Sequence, residues 1–442
     1  MDFRRHFRLP ALVLAAGLAL PQAVAAQVAV EAAPLPALDL FSTAGRETGL
    51  PADLWREASA ATASTVIPLL AQKPLSPAAA ALARRVLATG AQGPEGGGND
   101  PALAAARAQA LVALGDAEAA RMILQRTAQV ERSEPLSRAA AEAALLAGDE
   151  QGACDAAEAL TTDRDRIYWL RLRAFCQARA GETAAAQLTF DLAQSVERDA
   201  AYGRLMGAKL AGVGDPGAPS LRNGLDYALS RSLGLDLTAA EPAPAVAAAL
   251  AQETPLEARW TFVAGPGPVS AAMAVLAQGD LALAENVRAT LVQDEIPEAG
   301  AFDLALLDAL IAASAGREDR ATLDRLVERG GIGEAKARAR AQQAAAIFAA
   351  LGSPMSPQAR GEFARFAIGE AKAPEARALA LALASERRLP GETAMLALWI
   401  AAEAGVGGPS PADRTHIIRA LKAAGLEPHA RDFAVEGLLA LR

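Results

Sequence analysis

The sequence predicts an all-α protein, and three observations carry that prediction. The 442 residues are 52% hydrophobic but only 4% aromatic. Much of the apolar share is alanine, the best helix former, which loses no side-chain entropy in a helix. Residues that favour sheets, β-branched runs and aromatics, are sparse. Glycine and proline also cut the chain into helix-sized pieces, a pattern foreign to a long coiled coil or a disordered tail. An alanine core buries little area per residue, so it needs many close helix contacts rather than a few large side chains.

Residues 1–26 read as a cleaved export signal. Arg4, Arg5 and Arg8 form a basic start, and Leu9 to Leu20 is apolar. Either Ala23-Val24-Ala25 or Val24-Ala25-Ala26 offers the small residues a signal peptidase requires. An uncleaved anchor is the alternative, but the apolar stretch is shorter than the roughly twenty residues needed to span a bilayer. No cysteine lies at the cleavage region, which argues against a lipoprotein. The general secretory route is expected. Arg4-Arg5-His6-Phe7 resembles the core of a twin-arginine signal, but it lacks the preceding Ser or Thr, and Arg8 replaces an apolar residue. Heavy use of Ala, Arg and Gly fits a GC-rich Gram-negative bacterium, and so a periplasmic destination. No later apolar run reaches spanning length without a charge or a breaker, so no membrane span is expected in the mature chain.

The balance of 43 Lys and Arg against 51 Asp and Glu gives a net charge of −8. No basic stripe dominates, which argues against a nucleic-acid partner. Only two cysteines occur, Cys154 and Cys176. An even count in an exported chain predicts a disulfide. Their spacing is not that of a redox CxxC pair, and without a nearby histidine two thiols do not complete a zinc site.

Three segments align: ALVALGDAEAARMIL, AALLAGDEQGACDAA and AFCQARAGETAAAQLTF. Their glycines, Gly115, Gly148 and Gly181, recur every thirty-three residues. Asp116, Asp149 and Glu182 follow them, and Ala120, Ala153 and Ala186 lie five residues after each glycine. This pattern resembles the tetratricopeptide repeat (TPR), a helix–turn–helix unit of about thirty-four residues. The third copy fits best, with Leu170, Ala174, Gly181, Ala186, Phe190 and Ala193 at the family's packing spacings, although the family's closing Pro is missing. The resemblance is clearest over 101–198. Gly279 with Ala284, Gly316 with Ala321, and Gly425 with Ala430 extend it more loosely. It implies an α-solenoid of TPR-like antiparallel helix pairs. In that frame the Cys154–Cys176 bridge staples the second helix of one unit to the first helix of the next.

The expected organisation is a signal peptide (1–26), an N-terminal helical segment (27–92), a Gly/Pro linker (93–101), TPR-like repeats (102–211), an irregular connecting region (212–268) and C-terminal helical repeats (269–442). The linker reads Gly93-Pro94-Glu95-Gly96-Gly97-Gly98-Asn99-Asp100-Pro101.

Catalytic signatures such as HExxH, GxSxG, the Walker loop or a strand–GxGxxG–helix unit do not occur. Helically spaced carboxylates and arginines read as solvated faces. His416 and His429 read as ordinary surface or capping residues, and Trp55, Trp260 and Trp399 as core. No catalytic, metal or cofactor residue is expected. One cluster concentrates charge and aromatics: Arg164, Arg166, Tyr168, Trp169, Arg171, Arg173 and Phe175. Arg, Tyr and Trp anchor interfaces, which makes Arg164, Arg166, Tyr168, Trp169, Arg171 and Arg173 the candidate partner surface. The plainer reading is that Tyr168 and Trp169 start a repeat helix and pack inward. The expected function is a non-enzymatic periplasmic scaffold that binds envelope proteins in assembly, cell-wall machinery, motility or export. The alternative is a protein that binds or hydrolyses cell-wall glycan or peptide.

Overall fold

The computed structural model describes residues 38–212, 215–251, 260, 262–292 and 300–441. The export signal assigned to 1–26 lies outside them. Twenty-one α-helices and no strand occur among the described residues, apart from an isolated bridge between Ser59 and Glu95. The first six are α1 (Ala60–Gln72), α2 (Pro77–Ala88), α3 (Pro101–Ala113), α4 (Ala117–Arg126), α5 (Glu134–Leu146) and α6 (Glu150–Ala159). Next come α7 (Ile167–Arg179), α8 (Thr183–Val196), α9 (Ala200–Ala211), α10 (Gly224–Ser232) and α11 (Pro244–Ala251). They are followed by α12 (Pro268–Ala277), α13 (Leu281–Thr290), α14 (Ala301–Ala315), α15 (Arg320–Gly331) and α16 (Ala335–Ala350). The last five are α17 (Pro357–Phe363), α18 (Glu375–Glu386), α19 (Pro390–Ala404), α20 (Pro411–Ala423) and α21 (Glu427–Leu439). None of the described helices is long and apolar enough to cross a membrane.

The glycine–acid dipeptides form the hairpin turns. Gly115 adopts φ 84°, Gly148 82° and Gly181 80°, a left-handed conformation that costs other residues strain. At the first turn Gly115 N–H donates to Val112 O and Asp116 N–H to Leu111 O, which satisfies two carbonyls at the end of α3. The Asp116 side chain then accepts from Ala119 N–H and caps α4. One residue thus closes one helix and opens the next, and Asp149 does the same between α5 and α6. Gly279 and Gly425 make matching turns, with Ala284 and Ala430 buried behind them. Gly316 also turns left-handed, but its N-cap is Asp319, so the turn is two residues longer. That shift exposes Ala321 and gives Leu323 the buried position instead. The α18–α19 turn is built the same way around Arg388, at φ 53°, with no glycine to betray it.

Residues 212–268, read from sequence as irregular, contain α10 and α11. Helices of nine and eight residues are marginal alone. Here α10 is held against α5 and α9, and α11 against α3. The Gly/Pro stretch 93–101 is packed. Gly93 N–H donates to Asp39 Oδ2 at 2.7 Å, Leu40 N–H to Gly98 O at 3.0 Å, and Glu95 N–H to Ala58 O at 2.9 Å. A Cβ on Gly98 would sit 2.0 Å from the Asp39 carboxylate, so only glycine fits. Across this segment α1 and α2 pack on α3.

The residues from Leu38 onward form one compact unit. Its main core runs from Phe41 and Trp55 through α1–α3 to Phe348, Ile417 and Phe433. A second core gathers Trp169, Phe175, Tyr202, Met206 and Leu229 from α7, α9 and α10, with α5 and α6 against them. The C-terminal helices return to the N-terminal ones, α19 packing on α1 and α2, and α21 on α2. Cys154 on α6 and Cys176 on α7 are joined at disulfide distance, with Cα atoms 5.6 Å apart. Closing that loop constrains the unfolded chain by roughly 3 kcal/mol.

Candidate functional site

The Arg and aromatic cluster around α7 is spent on internal contacts. Trp169 is 1% exposed and donates through Nε1 to Glu134 Oε1, so it belongs to the second core and not to a partner surface. Tyr168 is half-buried, edge-on to Trp169 and beneath the Arg138 guanidinium, 4.7 Å from its ring centre. Burial, with the neighbouring Glu142 carboxylate second, raises the Tyr168 pKa and keeps the phenol neutral. Arg164 is exposed, but its guanidinium donates to Glu158 O and Leu160 O and closes α6. Arg173 donates to Arg164 O at 2.7 Å. Arg166 lies 3.4 Å from Asp163, and Arg171 pairs with Glu197 at 3.0 Å and Asp199 at 3.5 Å. The structure brings the six residues together as a bracket tying α6 to α9. Phe175 is buried beside them.

Exposed apolar side chains stand elsewhere. On α8, Leu188, Leu192 and Val196 recur every four residues and face outward. The sequence frame held the signal: if Ala186, Phe190 and Ala193 pack inward, these three lie on the opposite face. On α18, Leu379 and Leu383 are 60% and 51% exposed, again four residues apart.

Leu379 lines a groove of about 590 Å³ between α16, α18 and α20, and Leu383 follows it one helical turn along α18. Ala378, Leu381 and Ala382 of α18, Ala350 of α16 and Ala420 of α20 line it. These short side chains leave room for another backbone to approach closely. Its α20 edge is basic: His416, Arg419 and Lys422 line it at helical spacing. His416 and Arg419 are exposed, and Arg419 has no ion-pair partner among the described residues. Lys422 pairs through its ammonium with Glu318 at 3.1 Å, a residue outside the groove lining. Glu386 stands at the α18 end. Asp413 positions the two walls: Ser410 Oγ caps α20 through Asp413 N–H, and the Asp413 carboxylate accepts from Lys372 and Ala373 N–H just before α18.

Sequence reading passed over this groove because α16, α18 and α20 are far apart in the chain, and because Leu379 and Leu383 sit in an alanine-rich run. The four-residue spacing of exposed leucines was the available signal. Among the described residues no cluster of three or more His, Cys, Asp or Glu is placed to hold a metal ion. The described part of the chain is therefore all-helical, with a concave surface between α16, α18 and α20 that is apolar with one basic edge. Compared with known proteins, the chain matches no family model, no curated protein and no solved structure.

Proposed function

We propose that the chain is a non-enzymatic helical-repeat scaffold of the bacterial envelope, working in the periplasm, that docks an acidic amphipathic helix of a partner protein. The groove between α18 and α20 is the observation that carries this reading. An amphipathic helix laid in a groove is recognised through apolar anchors three or four residues apart. Leu379 and Leu383 offer such anchors, and paired exposed leucines beside a concavity mark an interaction surface. The basic edge of His416, Arg419 and Lys422 selects an acidic flank and suppresses basic competitors. The helix hairpins turned by glycine and acid support the TPR-like solenoid, a fold that presents long surfaces to proteins. The bonded cysteine pair supports the oxidising compartment.

The test uses displayed helical peptides in two matched libraries, one with an acidic flank and one with a basic flank, selected against the full chain. Acidic-flank peptides should be enriched, and they should bind Leu383→Asp and Arg419→Glu at least about tenfold more weakly. Both positions are exposed, so the variants should melt like the parent. Equal enrichment from the basic library, or unchanged binding to both variants, would overturn the reading.

A further inference from the structure

Helix α8 packs mainly on α7 and α9. In a stacked array the next helix pair would cover its outer side. Here α10 turns back onto α9 and α5, and α11 onto α3, so no further pair is laid over α8. Ala184, Leu188, Leu192 and Val196 are left as an exposed row, one turn apart. Leu188 is 74% exposed, the most of any leucine on a described helix. Such a contiguous apolar row marks a contact surface.

The charges around the row decide what covers it. Within α8 the one charged residue is Asp191, whose carboxylate accepts from Gln187 Nε2 at 2.9 Å. The helix has no Lys or Arg to hold an anionic membrane surface, and no run of acids to select a basic partner. The free charges stand at its two ends. Glu182, just before α8, and Arg198, two residues beyond it, are both exposed. Neither side chain has an ion-pair or hydrogen-bond partner among the described residues.

This pattern complements its own reverse. Two copies of α8 laid antiparallel, with a two-fold axis at the level of Phe190, set Leu188 of one copy against Leu192 of the other. Ala184 then meets Val196, a small residue against a larger one, and Glu182 meets Arg198. A two-fold contact uses one patch twice, so every match is made twice. A parallel pair would set Glu182 against Glu182 and Arg198 against Arg198.

We infer that two copies of this chain associate through α8, packed antiparallel on the row Ala184, Leu188, Leu192 and Val196, with Glu182 of each copy facing Arg198 of the other. Rows of residues four apart interdigitate when two helices pack. One helix pair makes a small interface, so dissociation in the micromolar range is expected. The surface shares no residue with the groove between α16, α18 and α20.

The experiment is sedimentation velocity of the full chain at concentrations rising into the high-micromolar range. The parent should pass from monomer to dimer. Leu188→Asp should weaken association at least about tenfold. Glu182→Arg and Arg198→Glu should each weaken it about threefold or more, because each replaces two attractions by two repulsions. The double variant, and a one-to-one mixture of the two single variants, should recover the parent's affinity. All three positions are exposed, so the variants should melt like the parent. Leu383→Asp, on α18, should associate as the parent does. A monomer throughout the range, single charge variants that associate like the parent, a double variant that fails to recover, or a loss in Leu383→Asp equal to that in Leu188→Asp would overturn the inference.

Discussion

Arg107 carries its charge into the core, where no carboxylate among the described residues is bonded to it. The side chain is fully buried, and its three nitrogens donate to four backbone carbonyls: Leu87, Phe41, Thr43 and Thr89. Burial lowers its pKa to about 10, with Asp39 opposing, so it stays protonated at neutral pH. Its guanidinium also lies 5.0 Å from the centre of the Phe41 ring. One residue therefore fastens the segment around Phe41 and the end of α2 to α3. Arg107→Met would leave those carbonyls without their donor in a buried site. The expected loss is about 3–5 kcal/mol, read from urea unfolding at constant slope. Arg107→Lys should recover only part of it, because one ammonium has three donors on a single atom and cannot span the four acceptors. A loss in Arg107→Met below about 1 kcal/mol would mean that water replaces the guanidinium. Nothing in the run ALAAARAQALVAL marks this arginine as buried. Its acceptors lie 18 to 66 residues away, and only the closed fold assembles them.

At the scale of the element, the hairpin turn was the most legible feature, because its requirements are local. A left-handed residue must follow the first helix, and an N-cap must open the second. Glycine followed by aspartate meets both at Gly115, Gly148 and Gly279, whereas Glu182 after Gly181 makes no side-chain cap bond. Gly181 isolates the first requirement: it has φ 80°, and no atom lies within 4 Å of where a Cβ would stand. Gly181→Ala should therefore cost about 1–2 kcal/mol through backbone conformation alone. Gly207 inside α9 also has open space, but a helical backbone. Gly207→Ala should stabilise by about 0.5–1 kcal/mol. The opposite signs of the two thermal shifts check the assignment, and equal signs would refute it. The same reasoning shows where sequence reading stops. Arg388 takes the glycine's place between α18 and α19, and the longer turn after Gly316 moves the buried position from Ala321 to Leu323. A spacing rule tied to glycine misses both. The α7 cluster shows a different limit. Arg and aromatic residues look alike whether they anchor a partner or bracket four helices of their own chain, and only contacts such as Arg171 to Glu197 tell them apart.

At the scale of the whole molecule, carboxylates from the C-terminal helices cap the first two helices of the chain. Glu392 at the start of α19 accepts from Ser59 N–H at 2.9 Å and from Thr62 Oγ1 at 2.9 Å, at the head of α1. Glu436 on α21 accepts from Ala78 N–H at 2.8 Å, at the head of α2, where the Ser76 hydroxyl makes no cap bond. The other oxygen of Glu436 accepts from Arg414 at 2.7 Å, within a nearly fully buried pair. A negative charge at a helix N-terminus is favourable, and more so when partly buried. Beside them Gly391 N–H donates to Leu54 O at 3.0 Å, so backbone joins backbone across the same seam. None of this could be read from sequence, since the partners are separated by more than three hundred residues. The arrangement predicts that the first and last helices unfold together. Glu436→Ala leaves the Arg414 guanidinium without its carboxylate and the Ala78 N–H without its acceptor at once, an expected loss of about 3–5 kcal/mol. Its amide hydrogen exchange should accelerate jointly in α2, α20 and α21, while α7 and α9, which pack around a separate core, keep their protection. Acceleration confined to α21 would mean that the seam is a contact without energetic weight. Acceleration reaching α7 and α9 equally would mean that the two cores are one cooperative unit.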